Sequence, residues 1–318
     1  MIVLSHKTKQ YLLAALKVFI LLAAAWYIYF KLTNTNGFSI NDLYETIKVN
    51  KVFSISNVTV FFAFAFANWF FESLKWKLLV NSFYKITFYT AFKQTVASLL
   101  VSLLTPNRIG EYGAKALYFK AENRKRILLL NFIGNTTQFI VTIIFGIIGL
   151  IYLLINFEVP ISNLNLVLLF LVVLLFGFLA YLFRERELLV KGLSIQKMMQ
   201  FVKKLPRDIV LKTGLLSLIR YAIFSHLFYF ILFFFNVETD YITIMMLLFA
   251  LYILVSIAPT IFIFDVVVRG GIAVWLFSLV GVDEGIILSA VMLMWLLNFV
   301  LPSIIGSIYV ATFKPVKK

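Results

Sequence analysis

Two stretches of this chain set ionisable and helix-breaking residues inside an otherwise apolar sequence. LLTPNRIGEYGAKALYFK, residues 103–120, brings Pro106, Arg108, Gly110 and Glu111 together directly after an apolar run. PTIFIFDVVVRGG, residues 259–271, repeats the ingredients as Pro259, Asp265, Arg269 and Gly270. Ionisable residues at membrane depth are expensive and mark function by default. An arginine fork suits a phosphate because its planar donors engage two oxygens at once. A helix N-terminus after a Pro/Gly break adds backbone N–H groups for the same anion. Arg108 and Glu111 are three apart, and Asp265 and Arg269 four apart. On a helix each pair shares a face. Either the arginines meet an anionic head group and the acids gate them, or the pairs only neutralise each other and make a polar break tolerable in lipid.

Further polar groups sit inside apolar segments. Asn68 and Glu72 are four apart, and Asn131, Asn135 and Gln138 share one helical face. Arg220 and His226 follow in a later segment, and Asn298 and Pro302 in the last. Most read as interhelical hydrogen bonds. Arg220 lies eight residues past Lys212 and calls for a carboxylate, Glu111 or Asp265 being the expected partners. Glu72, Asn135, Gln138 and His226 are secondary site candidates, His226 reading first as a hydrogen-bonded bundle histidine and second as a proton carrier.

The elements that must hold these residues are membrane helices. Of 318 residues 62% are hydrophobic and 14% charged, and the mean hydropathy is +0.98. A soluble domain carries about 45–50% apolar and 25% charged residues. The net charge of +15 is what Lys and Arg crowded into loops on one side of a membrane produce, so no nucleic-acid partner is expected. There are no cysteines and two histidines, which excludes thiolate chemistry and leaves no metal-ligand spacing. No P-loop, HExxH or GxSxG pattern occurs, so neither an enzyme of a familiar type nor a cofactor is expected.

Apolar segments run approximately over 11–30, 52–71, 88–105, 127–155, 164–183, 209–235, 241–264, 272–280 and 286–311. The first is read as a retained helix rather than a cleaved signal. Loops 72–87 and 114–126, the stretch 184–212 and both termini are basic, whereas NFEVPISN, NVETDY and GVDEG are acidic. Loop 31–51, with Lys31, Lys48 and Lys51, is an exception. Basic loops face the cytoplasm. Segment 88–113 then enters and leaves on the cytoplasmic side, and 241–280 on the external side. A nine-residue returning limb, 272–280, is about 14 Å long as a helix, half a bilayer. The expectation is a single all-α membrane domain, 1–318, with six full spans and two re-entrant hairpins. Half one is 11–155 with hairpin 88–113, and half two is 164–311 with hairpin 241–280, inverted as in transporters built on repeats. Both termini face the cytoplasm of an inner cell membrane.

LTPNRIGEYGAKALYF resembles the first signature of the flippase-like domain family, the lysylphosphatidylglycerol synthase transmembrane region. PTIFIFDVVVRGG resembles the second, with Asp265 where a Glu is common and without the usual glycine-rich stretch. NWFFESLKWKLL, SLIRYAIF and WLLNFVLPSIIGS are similar to further segments of short stand-alone members. The resemblance implies movement of a lipid, aminoacylated phosphatidylglycerol among the candidates, between leaflets. No aminoacyltransferase domain accompanies it in this sequence, which implies no lysyl-lipid synthesis by this chain. The expected partners are a membrane phospholipid and either a second copy of the chain or a separate lipid-synthesising enzyme. Two rivals stand beside a flippase. One is a proton-coupled transporter of a small anion using Glu111, Asp265 or His226. The other is an intramembrane lipid-modifying enzyme.

Overall fold

The structure is a computed structural model. It describes residues 52–103, 105, 109–158, 194–257 and 262–313, with Tyr44 and Lys48, and the side chains of 195 and 262–265 excepted. The expected spans 11–30 and 164–183, with Pro106, Arg108, Pro259 and the Asp265 side chain, lie outside that description.

Every regular element among the described residues is a helix. In chain order these are α1 (Ile55–Val80), α2 (Phe88–Ser102), α3 (Ile109–Ala116), α4 (Arg124–Asn156), α5 (Ile195–Lys204), α6 (Arg207–Phe234), α7 (Tyr241–Ile257), α8 (Phe262–Ser278), α9 (Glu284–Trp295) and α10 (Leu301–Ala311). A 3-10 turn, Ala121–Asn123, leads into α4, and a π-helical turn, Leu296–Val300, joins α9 to α10. The starts follow from side chains that accept orphan N–H groups at a helix N-terminus. Ser54 accepts from Asn57 N–H, Thr87 from Thr90 N–H, Ser194 from Lys197 N–H, Asp240 from Thr243 N–H and Asp283 from Ile286 N–H.

Four helical stretches are long and apolar enough to cross a membrane: Ile55–Val80, Ala121–Asn156, Arg207–Phe234 and Glu284–Ala311. Ile140, Ile144, Ile147, Ile148 and Ile151 of α4 are exposed, as expected of a face whose solvent is lipid. Two expected boundaries change. The helix read as 52–71 continues to Val80, so most of the loop at 72–87 is helix. The limb read as 272–280 begins at Phe262 and has 17 residues, about 25 Å at helical rise. Its shortness was an argument for re-entry, and that argument fails. α7 ends at Ile257 and α8 begins at Phe262.

α4 packs along α7, α1 along α6, and α10 along α2. The α4–α7 seam is closely packed. A Cβ at Gly146 would lie 2.4 Å from Ile253 Cβ, and one at Gly149 would lie 2.5 Å from Ala250 N and Met246 O. Small residues permit such backbone approach where lipid gives helices no hydrophobic reason to associate. Most buried apolar residues form one core, which includes Trp69, Val141, Leu232 and Leu293. A second core holds Trp76, Leu79, Ala116, Phe119, Ile127 and Ile133. On α1 the change of core falls between Trp69 and Trp76, and on α4 between Ile133 and Val141. Those two intervals contain Glu72 and Lys75, and Asn135 and Gln138. The polar layer lies where the two apolar cores meet.

Candidate functional site

α1 carries the centre of this layer. Glu72 Oε2 lies 2.8 Å from Lys75 Nζ, one turn away, and 2.9 Å from Arg220 Nη1 of α6. One carboxylate thus serves two cations, and the triad keeps one positive charge in excess. Glu72 and Lys75 are 6% and 2% exposed, so the pairing operates in low dielectric, where a lone charge is costly. Arg220 is oriented further. Its Nε donates to Asn68 Oδ1 at 3.0 Å and its Nη1 to Gln138 Oε1 at 3.5 Å.

The orientation of Asn68 is set by the π turn. Asn68 Nδ2 donates to Asn298 Oδ1 at 2.8 Å, and Trp69 Nε1 donates to the Asn298 carbonyl at 3.2 Å. That carbonyl is open to Trp69 for a covalent reason. Pro302 stands four residues later and has no N–H to close the helical bond onto it. A π turn beside a proline is a common device at functional sites. Here it leaves a backbone acceptor and a side-chain acceptor on one face, and both hold α1.

A second pair lies beside the first. Lys115 Nζ of α3 donates to Glu111 Oε1 at 2.6 Å and to Asn131 Oδ1 at 2.8 Å. The ammonium also sits 4.4 Å from the centre of the Trp76 ring, whose Nε1 donates to Gln94 Oε1 at 2.8 Å. Asn135 Nδ2 donates to the Tyr112 hydroxyl at 3.3 Å. α3 reaches this depth because Gly110 lets it turn against the end of α2. A Cβ there would fall 2.7 Å from the Val101 carbonyl, and its N–H donates to Thr105 Oγ1 at 2.7 Å.

Two cavities border the layer. The larger, about 190 Å³, is lined by Gln138, Arg220, Tyr221, Tyr252, Arg269 and Asn298 among others. The smaller, about 50 Å³, is lined by Trp69, Glu72, Thr95, Leu99, Glu111, Asn135 and Arg220. Arg220 borders both. A space of this measure needs about 10–15 Å³ for one water, so the larger cavity has room for a small polar group.

The sequence-derived residues divide as follows. Glu72, Asn135 and Arg220 come together around the smaller cavity, and Gln138 lines the larger one beside Arg220. Glu111 borders the smaller cavity, and Arg269 borders the larger one. Arg220 takes Glu72, not Glu111, as its carboxylate. Glu111 pairs one turn onward with Lys115. His226 lies apart from both cavities, against the Ala222 carbonyl at 2.8 Å and the Tyr241 hydroxyl at 2.9 Å. Gly270 is buried at the turn of α8 that follows Arg269. Lys75 and Lys115 were counted as cytoplasmic loop charge, yet both are buried site residues. The signal that finds them is local: an acid three residues before Lys75 and four before Lys115.

Among the described residues no group of three or more His, Cys, Asp or Glu side chains is placed to hold a metal ion. Residues 14–306 match the family described as the lysylphosphatidylglycerol synthase TM region. No curated protein and no solved structure matches the chain.

Proposed function

The chain belongs to the lysylphosphatidylglycerol synthase TM-region family, and on that premise we propose that it is a membrane lipid translocase. It passes the head group of an anionic or aminoacylated phospholipid between leaflets without altering the lipid. The supporting observation is Arg220, a cation held by partners on two other helices, Asn68 and Glu72 of α1 and Gln138 of α4, and bordering both cavities. A buried guanidinium there replaces part of the hydration a phosphate loses on entering the membrane, which is otherwise expensive. In this reading the acyl chains stay in lipid while the head group passes the polar layer.

The topology we propose with this function keeps two hairpins. α2–α3 enters and leaves on the cytoplasmic side, and α7–α8 on the external side, in inverted halves 11–155 and 164–311. With Lys75 and Lys115 removed from the count, Lys77 and Lys85 flank one side of α2–α3. Lys120, Arg124, Lys125 and Arg126 flank the other. The charge bias survives the correction. Glu111 and Arg269, one from each hairpin, then approach Arg220 from two sides.

The test is leaflet equilibration of head-group-labelled phosphatidylglycerol in vesicles reconstituted with the purified chain. Wild type should equilibrate the label. Arg220→Ala should not, and Arg220→Lys should do so slowly, because a lysine keeps the charge and loses the fork. Arg269→Ala should be impaired. Wild-type rates in Arg220→Ala and Arg269→Ala would reject the site, and inactive wild-type vesicles would reject the function.

A further inference from the structure

α5 stands apart from the polar layer and lines neither cavity. Its sequence, IQKMMQFVKK, has three lysines and no acid. At 3.6 residues per turn its side chains divide into three sectors. Met198 and Phe201 share one sector with Leu205, the residue that follows the helix. Phe201 and Leu205 pack in the second core, and the Arg126 guanidinium of α4 lies 6.0 Å from the centre of the Phe201 ring. Met199 and Val202 fall in the neighbouring sector, 57% and 37% exposed. Lys197, Lys203 and Lys204 share the third with Gln196 and Gln200, and all three lysines are exposed. The apolar face is thus wider than its seat on the bundle.

The uncovered edge lies at the level of a membrane surface. α6 has 28 residues, about 42 Å at helical rise, against a hydrocarbon core of about 30 Å. Arg207, Asp208 and Lys212 occupy its first two turns, so the surplus length at that end stands in the head-group region. Only Leu205 and Pro206 separate α5 from it. Leu211, Leu215 and Leu218 of α6 are exposed too, so both helices present apolar surface outward near this corner.

Charge identifies the occupant. Lys203, Lys204 and Arg207 are exposed at the corner, and Lys125 and Arg126 at the start of α4, on which α5 packs. The acids in these stretches are Glu122 and Asp208, and Asp208 already lies 3.4 Å from Lys212. Exposed apolar side chains at the edge of a lysine-rich face suit the plane of an anionic leaflet. An acidic protein would match the lysines and leave Met199 and Val202 without a use.

We propose that α5 is an in-plane anchor that docks on an anionic lipid surface. Met199 and Val202 enter the acyl boundary, and Lys203, Lys204 and Arg207 meet lipid phosphates. Because Phe201 and Leu205 sit in the second core, docking also sets the depth of that core and of the start of α6. These lipids are a surface and not cargo, so the proposal stands or falls apart from translocation.

The chain has no cysteine, so a single one is placed as Met199→Cys and labelled with bimane. The full chain is held in lipid nanodiscs, which leave both faces open to water. One set is phosphatidylcholine alone, and the other includes phosphatidylserine. In the anionic discs the label should be quenched by brominated acyl chains and shielded from aqueous iodide, and in the neutral discs it should be more open to iodide. A label at Gln200→Cys, in the polar sector, should stay open in both. Lys203→Gln, Lys204→Gln and Arg207→Gln should each lower the docked-to-undocked ratio in anionic discs about fivefold. Raising the salt to about 1 M, where the screening length is about 3 Å, should lower it with the sequence unchanged, which decides the matter even if a variant folds poorly. Equal docking in both lipids, or docking indifferent to salt, would overturn the proposal. So would shielding of position 200, which would bury the helix on all sides. A label at 199 open to iodide in every disc would reject the anchor and leave the lysines to an acidic soluble partner.

Discussion

Glu72 is the residue on which the charged layer depends, because its one carboxylate faces both Lys75 and Arg220. Removing one partner of a buried pair leaves an uncompensated charge and costs about 3–5 kcal/mol. Glu72→Ala should therefore lower the unfolding temperature of the purified chain sharply, and adding Lys75→Met should restore a large part of it. Equal melting of Glu72→Ala and wild type would show that the triad is not a unit. At the surface, Asp240 caps α7 by accepting from Thr243 N–H at 3.0 Å, and that hydrogen bond holds its carboxyl below the usual aspartate range. A depressed pKa contributes stability above about pH 4, the unperturbed value, and loses it as pH falls through the depressed one. Amide-exchange protection at the start of α7, taken relative to Asp240→Ala, should shrink over that acidic window. Glu72, Glu111, Arg220 and Arg269 were legible one by one. Their pairing was not, because partners such as Glu72 and Arg220 lie 148 positions apart and no local spacing encodes that. Lys75 was misplaced because a lysine at the end of an apolar run is ordinarily a loop cation, and the helix runs further than its apolar stretch.

The element that sequence reasoning undervalued is the π turn. Asn298 and Pro302 read as polar and helix-breaking residues of the last span with an ordinary role in interhelical hydrogen bonding, whereas together they expose the Asn298 carbonyl to Trp69. Trp69→Phe should cost about 1 kcal/mol, the net worth of one hydrogen bond. Pro302→Ala returns an N–H that competes for the same carbonyl, so Trp69→Phe should cost measurably less in that background. Full additivity in a double-mutant cycle would separate the two residues. Helix existence was well predicted for α1, α2, α4, α6, α7 and α10, since long apolar runs between capping residues leave few alternatives. Boundaries failed where charge sits inside a helix, at 72–80, and where a helix starts before its apolar window, at 262–271.

For the whole molecule, apolar length identified a membrane bundle and loop charge supplied an orientation. The absence of native cysteine makes the orientation directly measurable. Single cysteines at Lys85 and Glu122, both exposed, should be labelled from the cytoplasmic side in intact cells. Those at Glu238 and Glu284, also exposed, should be labelled from outside. Opposite sides for Lys85 and Glu122 would make α2–α3 a full crossing, and opposite sides for Glu238 and Glu284 would do the same for α7–α8. The proposed arrangement of halves rests on loop charge alone, because the two halves show no common sequence pattern.

The glycine seam between α4 and α7 has a mechanical consequence. A shift of either helix along the other by one residue would drive Ile253 or the Ala250 backbone into a side chain. The two helices therefore form a rigid strut. Any change of shape in the bundle must be borne elsewhere than along this seam.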